Sequence, residues 1–165
     1  MTRESVTDTL DNVDYRILRE LSADGRLSDV ALGERINLSA TAVARRRRIL
    51  EEKGVIASYG AVLNLESLGF TGVVMVALEL TSQAENVLVE FEREVVKCPS
   101  LTYCGFVSGE TDFLIVIHVN SLNDYDKIYR KELSILPHVA RIRSSFVLRE
   151  VARRVNPPVI FATAR

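Results

Sequence analysis

Two different periodicities divide the chain. From Leu10 to Lys53 apolar residues recur at three- and four-residue steps, whereas beyond Ser67 they alternate or run continuously. In the first part Leu10, Val13, Ile17, Leu18 and Leu21 share one face of a helix, which Asp24-Gly25 interrupts. Ser28 is placed to cap a second helix whose inner side holds Ala31, Leu32 and Ile36. Asn37 tolerates the left-handed conformation that ends a helix, and Ser39 can cap a third. The second and third helices are thus separated by a turn of about three residues, a helix-turn-helix spacing. Residues 54–64, G-V-I-A-S-Y-G-A-V-L-N, look extended and are bounded by glycines, which predicts a strand and linker leading out of this module.

The pattern after Ser67 predicts alternating strands and helices. A strand over 70–80 precedes a helix with Val87, Leu88, Phe91 and Val95 inward, stopped at Cys98-Pro99. Strands over 101–107 and 113–119 flank the turn S-G-E-T-D. A second helix carries Tyr125, Ile128, Tyr129, Leu133 and Leu136 on one side, and a last strand covers 139–148. The order β-α-β-β-α-β is the ferredoxin-like arrangement. The expected fold is therefore α+β: a helix-turn-helix domain over 1–54, a strand and linker over 55–66, a ferredoxin-like domain over 67–150 and a tail over 151–165.

That topology raises a burial problem. Phe70, Val74, Val76, Leu78 and Leu80 point one way from the first strand, but Val73, Met75 and Ala77 point the other, and Leu114 and Val116 repeat this in the 113–119 strand. Two helices cover one face, and a solvated second face should be polar. A second copy of the sheet would cover it, so the pattern predicts a homodimer through this domain.

Composition adds exclusions. No apolar run approaches the roughly 20 residues that span a bilayer, and the start M-T-R-E-S-V-T-D has no signal-peptide core, so the expectation is a cytoplasmic, nucleoid-associated protein without membrane contact. Cys98 and Cys104 are too few for a disulfide framework, and no local histidine completes a zinc pattern; no metal or cofactor is expected. Net charge is −1, and residues 1–65 hold ten basic and ten acidic side chains, so bulk charge carries no signal for nucleic acid. The basic charge is local: four arginines and no acid lie between Ser39 and Leu50.

Helix geometry sorts those arginines. At about 100° per residue, Leu50 falls about 20° from Val43, and Arg46 and Arg47 flank that apolar stripe by about 60° and 40°. Thr41, Arg45 and Arg48 cluster on the opposite side, about 160°, 200° and 140° from Val43. In a helix-turn-helix this outer face enters the major groove, where Arg45 and Arg48 reach guanine edges or phosphates and Thr41 lies near the leading end. Arg46 and Arg47 lie along the domain surface, with phosphates or carboxylates as partners. The expected DNA-facing set is Ser39, Thr41, Arg45, Arg46 and Arg48. A plain solvated face is the alternative that the charge run alone allows; a nuclear localisation signal suits a flexible segment better than a folding helix.

The stretches L-D-N-V-D-Y-R-I-L-R-E-L-S-A-D-G-R-L-S (10–28), I-N-L-S-A-T-A-V-A-R-R (36–46), L-E-E-K-G-V-I (50–56) and G-E-T-D-F-L-I-V (109–116) together resemble the leucine-responsive/asparagine-regulator (Lrp/AsnC, feast/famine) family of prokaryotic transcription regulators. The resemblance covers nearly the whole chain. It implies a winged-type DNA reader, a C-terminal effector and assembly domain, dimers often assembled into octamers, and amino acids as typical effectors. It places the effector cleft between subunits, near the loop Ser108, Gly109, Glu110, Thr111 and Asp112. There Gly109 permits close backbone approach and Asp112 can accept an α-ammonium, although Ser-Gly and Asp are equally the residues of a hairpin turn. Four positions depart from the family pattern. Arg47 and Ile49 exchange the usual aliphatic and basic types, His138 replaces a glycine before the last strand, and Ser144 replaces a threonine that bears on effector choice.

Catalysis has little support. His118 lies in an apolar strand, His138 beside Pro137, and Cys104 in a strand without an evident base; no phosphate-binding glycine loop is present. The rival to a DNA-binding regulator is a metabolite-binding module acting through protein contacts, since ferredoxin-like sheets serve many roles.

Overall fold

The structure, a computed structural model, describes residues 10–162. The start M-T-R-E-S-V-T-D, expected to hold no signal-peptide core, and the last three residues of the tail lie outside the described residues. The chain divides into two compact units, one formed by residues up to Val62 together with those from Ala152 onward, the other spanning Leu63–Val151.

Three capped helices make the first unit. Helix α1 (Asn12–Ala23) opens with a reciprocal cap: the Asp11 carboxylate accepts from the Asp14 amide, and the Asp14 carboxylate accepts from the Asp11 amide. In α2 (Asp29–Ile36) the Ser28 hydroxyl accepts from the Ala31 amide, and Asn37 ends the helix at φ 55°. In α3 (Ala40–Glu52) the Ser39 hydroxyl accepts from the Ala42 amide. Helices this short are marginal alone and hold through their shared core of Ile17, Leu21, Leu32, Ile36, Val43 and Leu50. Gly33 sits where α2 meets the turn. The Leu38 amide donates to its carbonyl at 2.9 Å, and a Cβ on Gly33 would stand 2.5 Å from the Leu38 carbonyl oxygen.

Residues 54–64 correct one expectation. The amides of Val55 and Ile56 both donate to the Leu50 carbonyl, closing the end of α3, and residues 57–64 pair with no strand among the described residues. An extended segment becomes a strand only where a second one completes its ladder. The tail runs irregularly from residue 147 and ends in a 3-10 turn, Pro158–Phe161, that lies against α1 in the first unit.

The second unit is a four-stranded antiparallel sheet in the order β2-β3-β1-β4, with β1 (Gly72–Leu80), β2 (Leu101–Phe106), β3 (Phe113–Val119) and β4 (Val139–Phe146). Its core face is set by period-2 alternation: Val74, Val76, Leu78 and Leu80 of β1 lie beside Phe113, Ile115 and Ile117 of β3. Helices α4 (Glu85–Val95) and α5 (Leu122–Ile128) cover this face through Phe91, Val95, Tyr125 and Ile128. The segment Tyr129–Leu133 continues α5 as a π-turn, with the Ser134 amide donating to the Tyr129 carbonyl. That extra residue turns Leu133 inward, five positions after Ile128, and leaves Glu132 to accept from the Ser100 amide and hydroxyl. His138 has φ 62°, the left-handed conformation for which the family's glycine is suited, and its ring nitrogen meets Glu90 at 2.8 Å. On the opposite sheet face Met75 is 40% exposed and Tyr103 53%, with Val73, Leu114 and Val116 half-buried beside them.

Candidate nucleic-acid interface and effector loop

Four consecutive arginines on α3 divide into an engaged pair, Arg46 and Arg47, and an exposed pair, Arg45 and Arg48. Arg46 donates to Asp11 and to Asp14, both at 2.8 Å, and so ties α3 to the start of α1. Its guanidinium pKa is raised by the hydrogen bonds of Asp14 and Asp11, against the opposing effect of burial. Arg47 is shielded from solvent, which lowers its pKa, but hydrogen bonds to Tyr59 and Asp29 outweigh that and raise it. Arg47 also donates to the Leu27 carbonyl and stacks over the Tyr59 ring at 4.8 Å, while the Tyr59 hydroxyl donates to Glu51. The side chains of Arg46 and Arg47 are only 26% and 20% exposed, against 69% for Arg48. Arg48 has a loose i,i+4 contact to Glu52 at 3.5 Å. Arg45 and Thr41 are exposed.

Of the DNA-facing set expected from sequence, Thr41, Arg45 and Arg48 therefore share one exposed stripe, and Ser39 works as the cap of α3. Arg46 is held by carboxylates, one of the two kinds of partner expected, so it braces the helix that carries the stripe. The brace residues Asp11, Asp14, Asp29 and Tyr59 escaped the sequence reading. The only local signal for them was the D-x-x-D at the head of α1.

In the second unit the loop 108–112 joins β2 to β3. Gly109 has φ 127°, a conformation that side chains rarely adopt, and Ser108, Gly109 and Glu110 are exposed. Asp112 differs from them. It is buried, and its carboxylate accepts from the Leu80 amide and from the Gln83 side chain, each at 2.7 Å. Its own amide donates to the Leu78 carbonyl, so the side chain extends the β1–β3 ladder beyond the last paired residues. Ser144, on β4, shares a hydrogen bond with the Tyr125 hydroxyl, and the Tyr125 ring meets Phe146 edge-on at 5.1 Å. Burial pushes the thiols of Cys98 and Cys104 up in pKa, which keeps them protonated and weak as nucleophiles. Among the described residues no three His, Cys, Asp or Glu side chains converge as a metal site, and no helix is long and apolar enough to cross a membrane.

A helix-turn-helix with a basic outer stripe, followed in the chain by a ferredoxin-like domain, defines the class of DNA-binding regulators with a separate sensory domain. Residues 10–51 match the AsnC-type helix-turn-helix domain, and residues 73–157 match the Lrp/AsnC ligand binding domain. The chain is 37% identical over 150 residues to the Bkd operon transcriptional regulator of Pseudomonas aeruginosa, covering 91% of this chain and 98% of that one. It is 37% identical over 142 residues to the leucine-responsive regulatory protein of Escherichia coli, covering 86% and 87%. Among solved structures, a transcriptional regulator of Neisseria meningitidis in complex with L-Met superposes with a TM-score of 0.86 at 31% identity, covering 92% of this chain and 97% of that one. The protein belongs to the Lrp/AsnC family of transcription regulators. Its relatives are regulators of transcription, not enzymes.

Proposed function

We propose that this regulator reads double-stranded DNA through Thr41, Arg45 and Arg48, acts as a homodimer formed on the open sheet face, and responds to an amino acid bound at the 108–112 loop between subunits. The observation that carries the DNA assignment is the division of the arginines: Arg46 and Arg47 are engaged within the module, and Arg45 and Arg48 are turned outward on the helix that a helix-turn-helix places in the major groove. Two such helices in a dimer suit a pseudo-palindromic site with half-sites about one helical turn apart. The apolar positions Val73, Met75, Leu114 and Val116 on one sheet face support a self-complementary contact.

The effector reading draws on the relative crystallised with L-methionine and on the exposed loop. Ser108, Glu110 and Thr111 offer polar groups there, with Asp112 fixing the end of the loop and Ser144 on β4 as a further hydroxyl. A ligand at that position alters DNA affinity only if it favours one assembly state over another. The decisive experiment is DNA binding with Arg45→Ala/Arg48→Ala. The double variant should lose sequence-preferring, salt-dependent binding and keep the parent's sedimentation behaviour. A parent protein with no preference for its own upstream DNA would overturn the regulator reading, and a stable monomer at micromolar concentration would overturn the dimer.

A further inference from the structure

The chain visits the first unit twice, at its beginning and again from Ala152 onward. The returning segment is anchored to α1 at two points. The Asn156 side-chain amide donates to the Ser22 hydroxyl at 2.9 Å, and Arg19 donates to the Phe161 carbonyl at 2.8 Å. Between these anchors Ile160 and Phe161 line a half-open cleft of about 640 Å³ together with Leu18, Val55, Ile56 and Tyr59. Among the described residues no charged side chain lines this cleft, so a zwitterionic amino acid would lose hydration there without a counter-charge from them.

The fit of the segment is loose. Val159 remains 72% exposed and Val155 81%, whereas the neighbouring core residue Ile17 is wholly buried. Both polar anchors are exposed, where water competes for them. Against this, Pro157 and Pro158 preset the backbone that enters the 3-10 turn, so less chain freedom is lost on docking. A weakly held, partly preorganised segment exchanges readily between docked and released forms. Its release would uncover the 55–59 wall of the cleft, including Tyr59, whose hydroxyl accepts from Arg47 and donates to Glu51 on the reading helix.

We propose that residues 152–162 form a releasable strap of the DNA-reading module, docked on α1 and stabilising the far end of α3 through the 55–59 segment. The proposal rests on the assignment of α3 as the reading helix. Amide hydrogen exchange of the full chain should be compared with a chain ended after Val151 and with Asn156→Ala. Ending the chain should raise exchange in the second half of α1 and in 55–59 by about tenfold, with DNA affinity falling in parallel, while β1 and β3 stay protected. Asn156→Ala should give a smaller rise at the same amides, and the β1 and β3 amides report that each variant is folded. Unchanged exchange in α1 and 55–59 on removal of the segment overturns the strap, whatever the DNA assay gives. If exchange rises as stated but the parent has no sequence preference on DNA, the strap holds and the reading-helix assignment fails.

Discussion

Asp112 gives the sharpest test of how the effector loop is built. Its carboxylate accepts two hydrogen bonds of 2.7 Å, one from the buried Leu80 amide and one from Gln83. Replacement by alanine leaves the Leu80 amide without a partner in a region closed to water, a loss of about 1–3 kcal/mol. The Gln83 amide is partly exposed and recovers most of its bond from solvent, so its loss adds roughly 1 kcal/mol. The expected destabilisation of Asp112→Ala is therefore about 2–4 kcal/mol, read from urea unfolding by circular dichroism at fixed protein concentration with an unchanged slope. At about 4–8 °C per kcal/mol for a domain of this size, the midpoint temperature should fall by roughly 8–32 °C. Asp112→Asn retains an acceptor for Leu80, and Gln83 can turn its oxygen toward the new amide, so that variant should lose only about 1 kcal/mol. An alanine variant within about 0.5 kcal/mol of the parent would refute a structural role for this carboxylate. The consequence for function is practical. Loss of effector response in Asp112→Ala would mix a broken loop with a lost ligand contact, whereas Glu110→Gln and Thr111→Val probe the exposed loop without touching the ladder.

Three further outcomes follow from the first unit. Gly33→Ala in an ordinary helix would stabilise by about 1 kcal/mol, but here the added carbon meets a main-chain oxygen at 2.5 Å, so thermal unfolding should instead register a loss of about 1–2 kcal/mol. Arg46→Ala should destabilise by about 1 kcal/mol and leave the salt slope of DNA binding unchanged, whereas each of Arg45→Ala and Arg48→Ala should reduce that slope by about one unit. Burial tends to raise the Asp11 pKa, but the Asp14 amide and the Arg46 guanidinium outweigh it and hold the pKa below the ordinary value. The contribution of Asp11 is therefore complete above about pH 4 and lost as pH falls through the lowered value. Asp11→Asn should narrow the gap between denaturant midpoints at neutral and strongly acid pH; an unchanged gap would contradict this.

Local signals were the legible part of this fold. Ser28, Asn37 and Ser39 mark the helix-turn-helix because caps and left-handed turns depend on neighbours within three or four residues. The even and odd alternation in β1 and β3 likewise places the sheet core without knowledge of any partner. The π-turn was half legible: Ile128 and Leu133 both read as apolar, but their five-residue step needs an inserted residue that no propensity announces. Residues 57–64 have the pattern of a strand, yet the ladder needed to make them one is not in the described chain.

Polar residues behaved differently, because their partners lie far along the chain. The wheel position of Arg46 was legible, but the acids that hold it are 35 and 32 residues earlier. Asp112 suited both a turn and an ammonium contact, while the groups that claim its carboxylate lie 32 and 29 residues back. A basic helix face is therefore read best by removing the charges that the fold itself uses. When Asp11 and Asp14 take Arg46, and Asp29, Glu51 and Tyr59 take Arg47, the outward pair Arg45 and Arg48 remains beside Thr41. The engaged pair also has work to do: one arginine fixes α3 to the head of α1 and the other to the start of α2, on both flanks of its core stripe. A reading helix clamped on two sides presents Arg45 and Arg48 in one orientation, so less conformational freedom remains to be lost when they meet DNA.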